Sequence, residues 1–180
     1  MAPSPFRRLE HPGSAVFRFL ALAVALPLIP GFLFFPALLP EVLTFMGATF
    51  VLEYGAAAVG IGLGLPAAYV LFVLSCFGVG ISLLLFDLLG ALGNLSSRIR
   101  SFLEKSGEQA GRSRFFSRYG IYGLVPCVII ISIYVCPPAA WVFGWDRSRS
   151  LALILGGFLS AAVVTTLACL GIFHIFFPLR

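Results

Sequence analysis

Along this chain the apolar residues do not alternate with polar ones; they run in long tracts separated by short charged or polar interruptions. Three tracts, 14–40, 66–90 and 151–178, are apolar almost throughout, and each reaches the roughly 20 residues that a helix needs to cross a bilayer. Each predicts a full transmembrane helix. Two further tracts are as apolar but carry helix breakers. Residues 42–64 contain Glu53 followed by Gly55, Gly60, Gly62 and Gly64, with Pro66 next, and residues 119–145 contain Pro126 and then Pro137 and Pro138. Glycine weakens a helix, and two prolines in succession cannot continue its hydrogen-bond ladder. As one straight helix, 41–87 would extend roughly 65–70 Å, about twice the hydrocarbon thickness. It must bend back or cross twice, and the natural break is the stretch from Gly55 to Pro66. The pattern predicts an all-α integral membrane protein of one membrane domain: a polar head at 1–13, three transmembrane helices, a basic loop at 95–118, and two Gly/Pro-broken re-entrant hairpins. Together they form a loose inverted repeat of elements, with no clear residue-by-residue repeat.

Composition sharpens this picture. Sixty per cent of the 180 residues are apolar and 11% are charged, against about a quarter charged in a soluble domain, and the mean hydropathy is +1.05. A water-soluble fold would have no surface to show. The 14–40 tract is longer than the 7–15-residue core of a signal peptide and is rich in phenylalanine near its end, so it reads as a retained span. The four cysteines, Cys76, Cys127, Cys136 and Cys169, all lie in apolar segments without a C-x-x-C pair, and only His11 and His174 offer ring nitrogens. That argues against a disulfide framework and against a zinc site. Neither a P-loop nor a convincing Ser-His-Asp or Cys-His set is present. The expectation is therefore no enzyme, no cofactor, no metal and no nucleic-acid partner.

The net charge of +5 matters less than the placement of the charges. Arg7, Arg8 and Arg18 stand at the head of the first span; Arg98, Arg100, Lys105, Arg112, Arg114 and Arg118 fill the central loop; Arg147 and Arg149 form a short turn; Arg180 ends the sequence. With three spans and two hairpins, eleven of these twelve share one side, which the positive-inside rule assigns to the cytoplasm together with the amino terminus. The basic loop then faces anionic lipid. If 119–145 crossed instead, Arg147 and Arg149 would move outside, a weaker fit that the sequence leaves open.

Among the few ionisable residues at membrane depth, Glu53 stands out, because a carboxylate between apolar runs must be protonated, paired or hydrated. It reads as a proton or cation acceptor at the tip or mouth of the first hairpin, or else as an interfacial glutamate closing a helix. Glu41 reads as a helix-start residue, favoured by the dipole. Asp87 reads as an interfacial carboxylate that Arg98 or Arg100 approaches from beyond the end of its span. Arg18 either snorkels or neutralises a carboxylate on another helix. Tyr119, Tyr122, Tyr134, Trp141 and Trp145 suit an aromatic belt around the second hairpin.

These residues carry a resemblance. The acidic residue opening a glycine-rich segment, Glu53-Tyr-Gly-Ala-Ala-Ala-Val-Gly-Ile-Gly-Leu-Gly, the basic loop leading into Ser117-Arg118-Tyr119-Gly120 with Gly123-Leu124 beyond, and the proline-broken second hairpin are similar to the small multi-drug export protein family. That family is distantly related to the DedA, or SNARE-associated, membrane proteins. The resemblance covers about Pro40 to Phe177. Gly55 stands where the family has an arginine, and Cys136-Pro137-Pro138-Ala139 where it has Pro-Gly-Thr-Gly. The resemblance implies a re-entrant-loop transporter fold and an export activity; with the reading of Glu53 from its depth, the expected function is transport of small hydrophobic molecules or lipids in the cell membrane, proton-coupled through Glu53. Its expected partners are membrane lipids and a small hydrophobic substrate, and a homo-oligomer is left open. The alternative is a non-transporting subunit or scaffold whose small-residue faces pack against partner helices.

Overall fold

A computed structural model describes residues 12–95 and 120–176, and the side-chain surroundings of 13–91 and 120–171. The predicted basic-loop residues Arg98, Arg100, Lys105, Arg112, Arg114 and Arg118 lie outside the described residues, as does the side chain of His174. Every regular element described is helical. In chain order these are α1 (Pro12–Leu20), α2 (Leu26–Phe34), α3 (Leu39–Leu52), α4 (Ala56–Gly62), α5 (Ala67–Leu95), α6 (Leu124–Ile130), α7 (Cys136–Val142) and α8 (Arg147–Phe176). Four helical runs, Gly13–Phe34, Pro36–Gly62, Ala67–Ala91 and Arg147–Gly171, are long and apolar enough to cross a membrane. They support a multi-pass membrane protein.

The first run is continuous but irregular. Pro27 and Pro30 have no N–H to give the preceding turn, and just upstream the helix widens into a π turn over Ala21–Ala25, closed by the Leu26 N–H on the Ala21 carbonyl. One further proline, Pro36, ends the run at Phe35. The Tyr69 hydroxyl donates to the Pro27 carbonyl at 2.9 Å. A Cβ on Gly31 would lie 2.6 Å from that hydroxyl oxygen, so glycine is what admits the tyrosine.

The second run qualifies by length, yet it is not straight. A Cβ on Gly60 would meet the Phe45 ring at 3.0 Å, whereas fifteen residues of continuous helix would separate the two by about 22 Å. α3 and α4 are therefore the two arms of a helical hairpin. The arms part at Glu53–Gly55, at the edge of the expected stretch, because Glu53 itself takes φ +53° and ψ −125°, and a second break at 63–66 falls inside the stretch from Gly55 to Pro66 that the glycine pattern suggested. Gly60 and Gly62 lie inside α4; Gly64, at φ +80°, closes it. The Gly64 and Leu65 N–H groups reach back to the Ile61 and Gly60 carbonyls, both at 3.0 Å, a Schellman cap that releases the chain into α5.

α6 and α7 form a second hairpin, shown by Cys136 Sγ standing 4.0 Å from the Leu124 carbonyl oxygen. The prolines expected to break this segment do not. Pro126 lies within the unbroken helical run Gly120–Ile130, and Pro137 and Pro138 sit in the first turn of α7, where a missing N–H leaves no bond unmade. The break is the non-helical stretch 131–135 between them. α7 ends as α4 does: Gly144, at φ +65°, and Trp145 return N–H bonds to Trp141 and Ala140, both at 3.1 Å. The parts correspond at a constant offset of 80 residues: Ala56–Gly62 with Cys136–Val142, Gly64 with Gly144, and Ala67 with Arg147.

Contacts among the described residues gather into two compact units. One comprises 12–19, 81–95 and 120–157 and buries Phe86, Leu124, Val128, Ile133 and Ile154 completely or nearly so. The other comprises 20–80 and 158–176, with Phe45, Val70, Leu74, Phe77 and Phe158 at its core.

Candidate functional site

The first hairpin presents Glu53 at its turn. α3 ends there because the Glu53 N–H completes the last bond to the Thr49 carbonyl and its own φ then reverses sign. Glu53 is 9% exposed. Thr49, one turn earlier and buried, directs its hydroxyl into the helix, donating to the Phe45 carbonyl at 2.9 Å. Next to the acid, the Tyr54 ring meets Phe158 edge-on at 6.3 Å between centroids. Gly55 completes the tight turn. A glutamate has thus been buried at a corner where the backbone conformation favours glycine. Glu41 lies in the first turn of α3, as its reading as a helix-start residue requires, and its Oε2 is buried without a protein hydrogen-bond partner.

The other unit holds a charged cluster. Arg147, the first residue of α8, places Nη2 2.6 Å from Asp87 Oδ1, and Arg18 of α1 places Nη1 3.9 Å from Asp87 Oδ2. The Arg147 guanidinium also lies over the Phe86 ring at 5.7 Å, a cation–π contact that fixes its approach. Beside it, Asp146 caps α8 by accepting the Arg149 N–H at 3.0 Å. One carboxylate therefore joins three helices. Arg18 approaches a carboxylate on another helix, one of its two expected readings; Arg98 and Arg100, expected near Asp87, lie outside the described residues, and Arg147 is a partner that was not expected. The signal was present: the positive-inside arrangement already put the start of the first span, the end of the second and the start of the third on one side.

Exchanging Asp87 for Asn leaves two guanidinium groups close together without their counter-charge. The expected cost is about 1–3 kcal/mol, the range for hydrogen bonds to charged groups, and toward its lower end because the arginine side chains are 41% and 47% exposed and solvent screens them. Thermal unfolding in detergent should show the loss, with partial recovery in high salt. Adding Arg147→Gln to Asp87→Asn should cost less than the sum of the two single changes; strict additivity would mean that the pair is not coupled.

Of the residues expected in an aromatic belt at the second hairpin, Tyr122 is exposed, Trp141 and Trp145 are half-buried, Trp145 stacks on Phe143 at 4.7 Å, and Tyr119 lies outside the described residues. The chain matches no protein-family model, and neither a curated protein nor a solved structure is significantly similar to it.

Proposed function

We propose that this protein is a membrane transporter of small hydrophobic molecules or lipids, in which Glu53 is the proton-responsive group and both hairpins enter the bilayer without crossing it. The observation that carries this reading is the backbone of Glu53. A non-glycine residue at φ +53° and ψ −125° costs on the order of 1–3 kcal/mol, and such strain is characteristically kept at functional sites. Here it holds a buried carboxylate at the turn of a broken helix. Support also comes from the second broken segment in the corresponding position, since paired breaks are the mark of transporter folds whose freed backbone groups line a wet path. The likeness of Glu53 and the glycines after it to the small multi-drug export proteins points the same way. In this reading the repeat is inverted, and the amino terminus, the basic loop and the Arg147/Arg149 turn face the cytoplasm.

The test is Glu53→Gln in proteoliposomes loaded with a fluorescent hydrophobic cation or a fluorescent phospholipid analogue, with flux followed across a pH series. Glutamine keeps the size and the strained backbone but cannot titrate. The variant should insert normally and lose the pH-dependent component of transport. Flux that keeps the wild-type pH profile would remove Glu53 from the mechanism.

A further inference from the structure

The second hairpin contains a feature that transport through Glu53 does not use. Cys127 on α6 and Cys136 at the start of α7 face each other across the two arms, and their side chains share a hydrogen bond. The Cys136 thiol also lies 3.4 Å from the Ser132 carbonyl oxygen and 4.0 Å from that of Leu124, so the sulfur sits in the crevice between the arms and the break. Neither is in a disulfide, and the two residues are 4% and 0% exposed.

We propose that Cys127 and Cys136 are a redox-active dithiol that a peroxide closes to a reversible disulfide, tying α6 to α7. A disulfide needs its sulfurs about 2.05 Å apart and its Cβ atoms roughly 3.5–4.5 Å apart. The Cys136 sulfur already lies against α6, 4.0 Å from the carbonyl oxygen of Leu124, one helical turn before Cys127, and the two thiols share a hydrogen bond. In the first step one sulfur, as thiolate, attacks a peroxide oxygen; the O–O bond breaks, a sulfenic acid forms, and the departing hydroxide takes up a proton as water. In the second step the remaining thiolate attacks the sulfenic sulfur, the S–S bond forms, and the hydroxyl leaves as a second water. Two thiols and one hydrogen peroxide give one disulfide and two waters, the thiols being oxidised by two electrons and the peroxide reduced by two. Peroxide is uncharged and close to water in size, so a brief parting of the arms admits it. The cross-link then holds the arms together and stops further parting. The disulfide itself does not depend on the transporter reading; its effect on flux does.

The experiment uses the full chain in phospholipid vesicles, exposed to excess hydrogen peroxide, then denatured and alkylated for intact-mass analysis. Two of the four thiols should become unavailable, with the loss of two hydrogens in mass and recovery on treatment with dithiothreitol. The same loss should occur in Cys76→Ser/Cys169→Ser and vanish in Cys127→Ser and in Cys136→Ser. Four alkylated thiols after oxidation, or a two-hydrogen loss that survives Cys127→Ser, would overturn the assignment. In the same vesicles the oxidised protein should carry the fluorescent probe about tenfold more slowly or worse, as expected when a gating element is fixed. Full cross-linking with undiminished flux would refute the tying role, whereas absence of flux in the reduced protein too would count against the transporter reading and leave the mass result standing.

Discussion

Glu53→Gly should yield a protein more stable than Glu53→Ala by about 1–2 kcal/mol, the reverse of what the two residues do in ordinary helix. Both substitutions remove the carboxylate and whatever it contacts, so those losses cancel in the comparison. What differs is the Cβ, which alanine must hold at φ +53° and ψ −125° and glycine does not have. Thermal or denaturant unfolding of the two variants in one detergent reads the difference directly. Neither variant should retain pH-dependent flux. A glycine variant that is more stable and inactive would show a position kept for activity against the preference of the fold. Equal stabilities would mean that the corner relaxes on substitution and that the strain argument for Glu53 is unfounded.

A larger loss of stability is expected at Gly157. A Cβ there would lie 3.0 Å from the Val125 carbonyl oxygen and 3.2 Å from its Cα, so α8 and α6 meet backbone to backbone. A flexible side chain can move aside; a helix backbone cannot do so cheaply. Gly157→Ala should cost roughly 1–3 kcal/mol as overpacking, and Gly157→Val more than that, enough to shift melting by many degrees or prevent recovery of folded protein. Its neighbour is the control. Gly156 is exposed and has nothing within 4 Å of its would-be Cβ, so Gly156→Ala should be neutral or slightly stabilising through helix propensity. Similar damage from both alanine variants would show that the effect comes from helix propensity, not from the α6 contact.

The long helices were legible in the sequence because spanning a membrane demands a stretch of apolar residues that nothing else requires. The places where the chain turns were harder, and the reason is positional. Proline stops a helix only in its interior, so reading Pro137 and Pro138 as breaks presupposed where α7 begins; once that start is known, the same residues are good first-turn residues. The first hairpin was partly legible: glycine is the usual occupant of positive φ, which marks the break around Gly64, while the tighter turn between the arms uses positive φ at Glu53, a non-glycine residue. Glu53 stood out by its charge between apolar runs and by the glycines directly after it, and its backbone adds an independent reason that no pattern in the sequence carries. The pairing of Asp87 with Arg147 spans 60 residues, and the contact of Cys127 with Cys136 depends on how two short arms fold back; neither follows from spacing. The 80-residue correspondence was invisible as well, because it resides in caps and lengths while the side chains differ: Pro66 stands opposite Asp146, and Ala56 opposite Cys136.

The shortness of α6 and α7 bears on how the protein is made. Each has seven residues, about 10 Å of helix, a third of the roughly 30 Å of hydrocarbon, and a helix that short is marginal by itself. As the chain leaves the ribosome, α5 offers the insertion machinery a segment it can partition into lipid at once, whereas neither arm of the second hairpin does. The surface that receives α6 is supplied in part by Gly157, which is synthesised later. Under the proposal that this hairpin enters the bilayer without crossing it, its burial is a step of assembly that follows insertion and waits for α8.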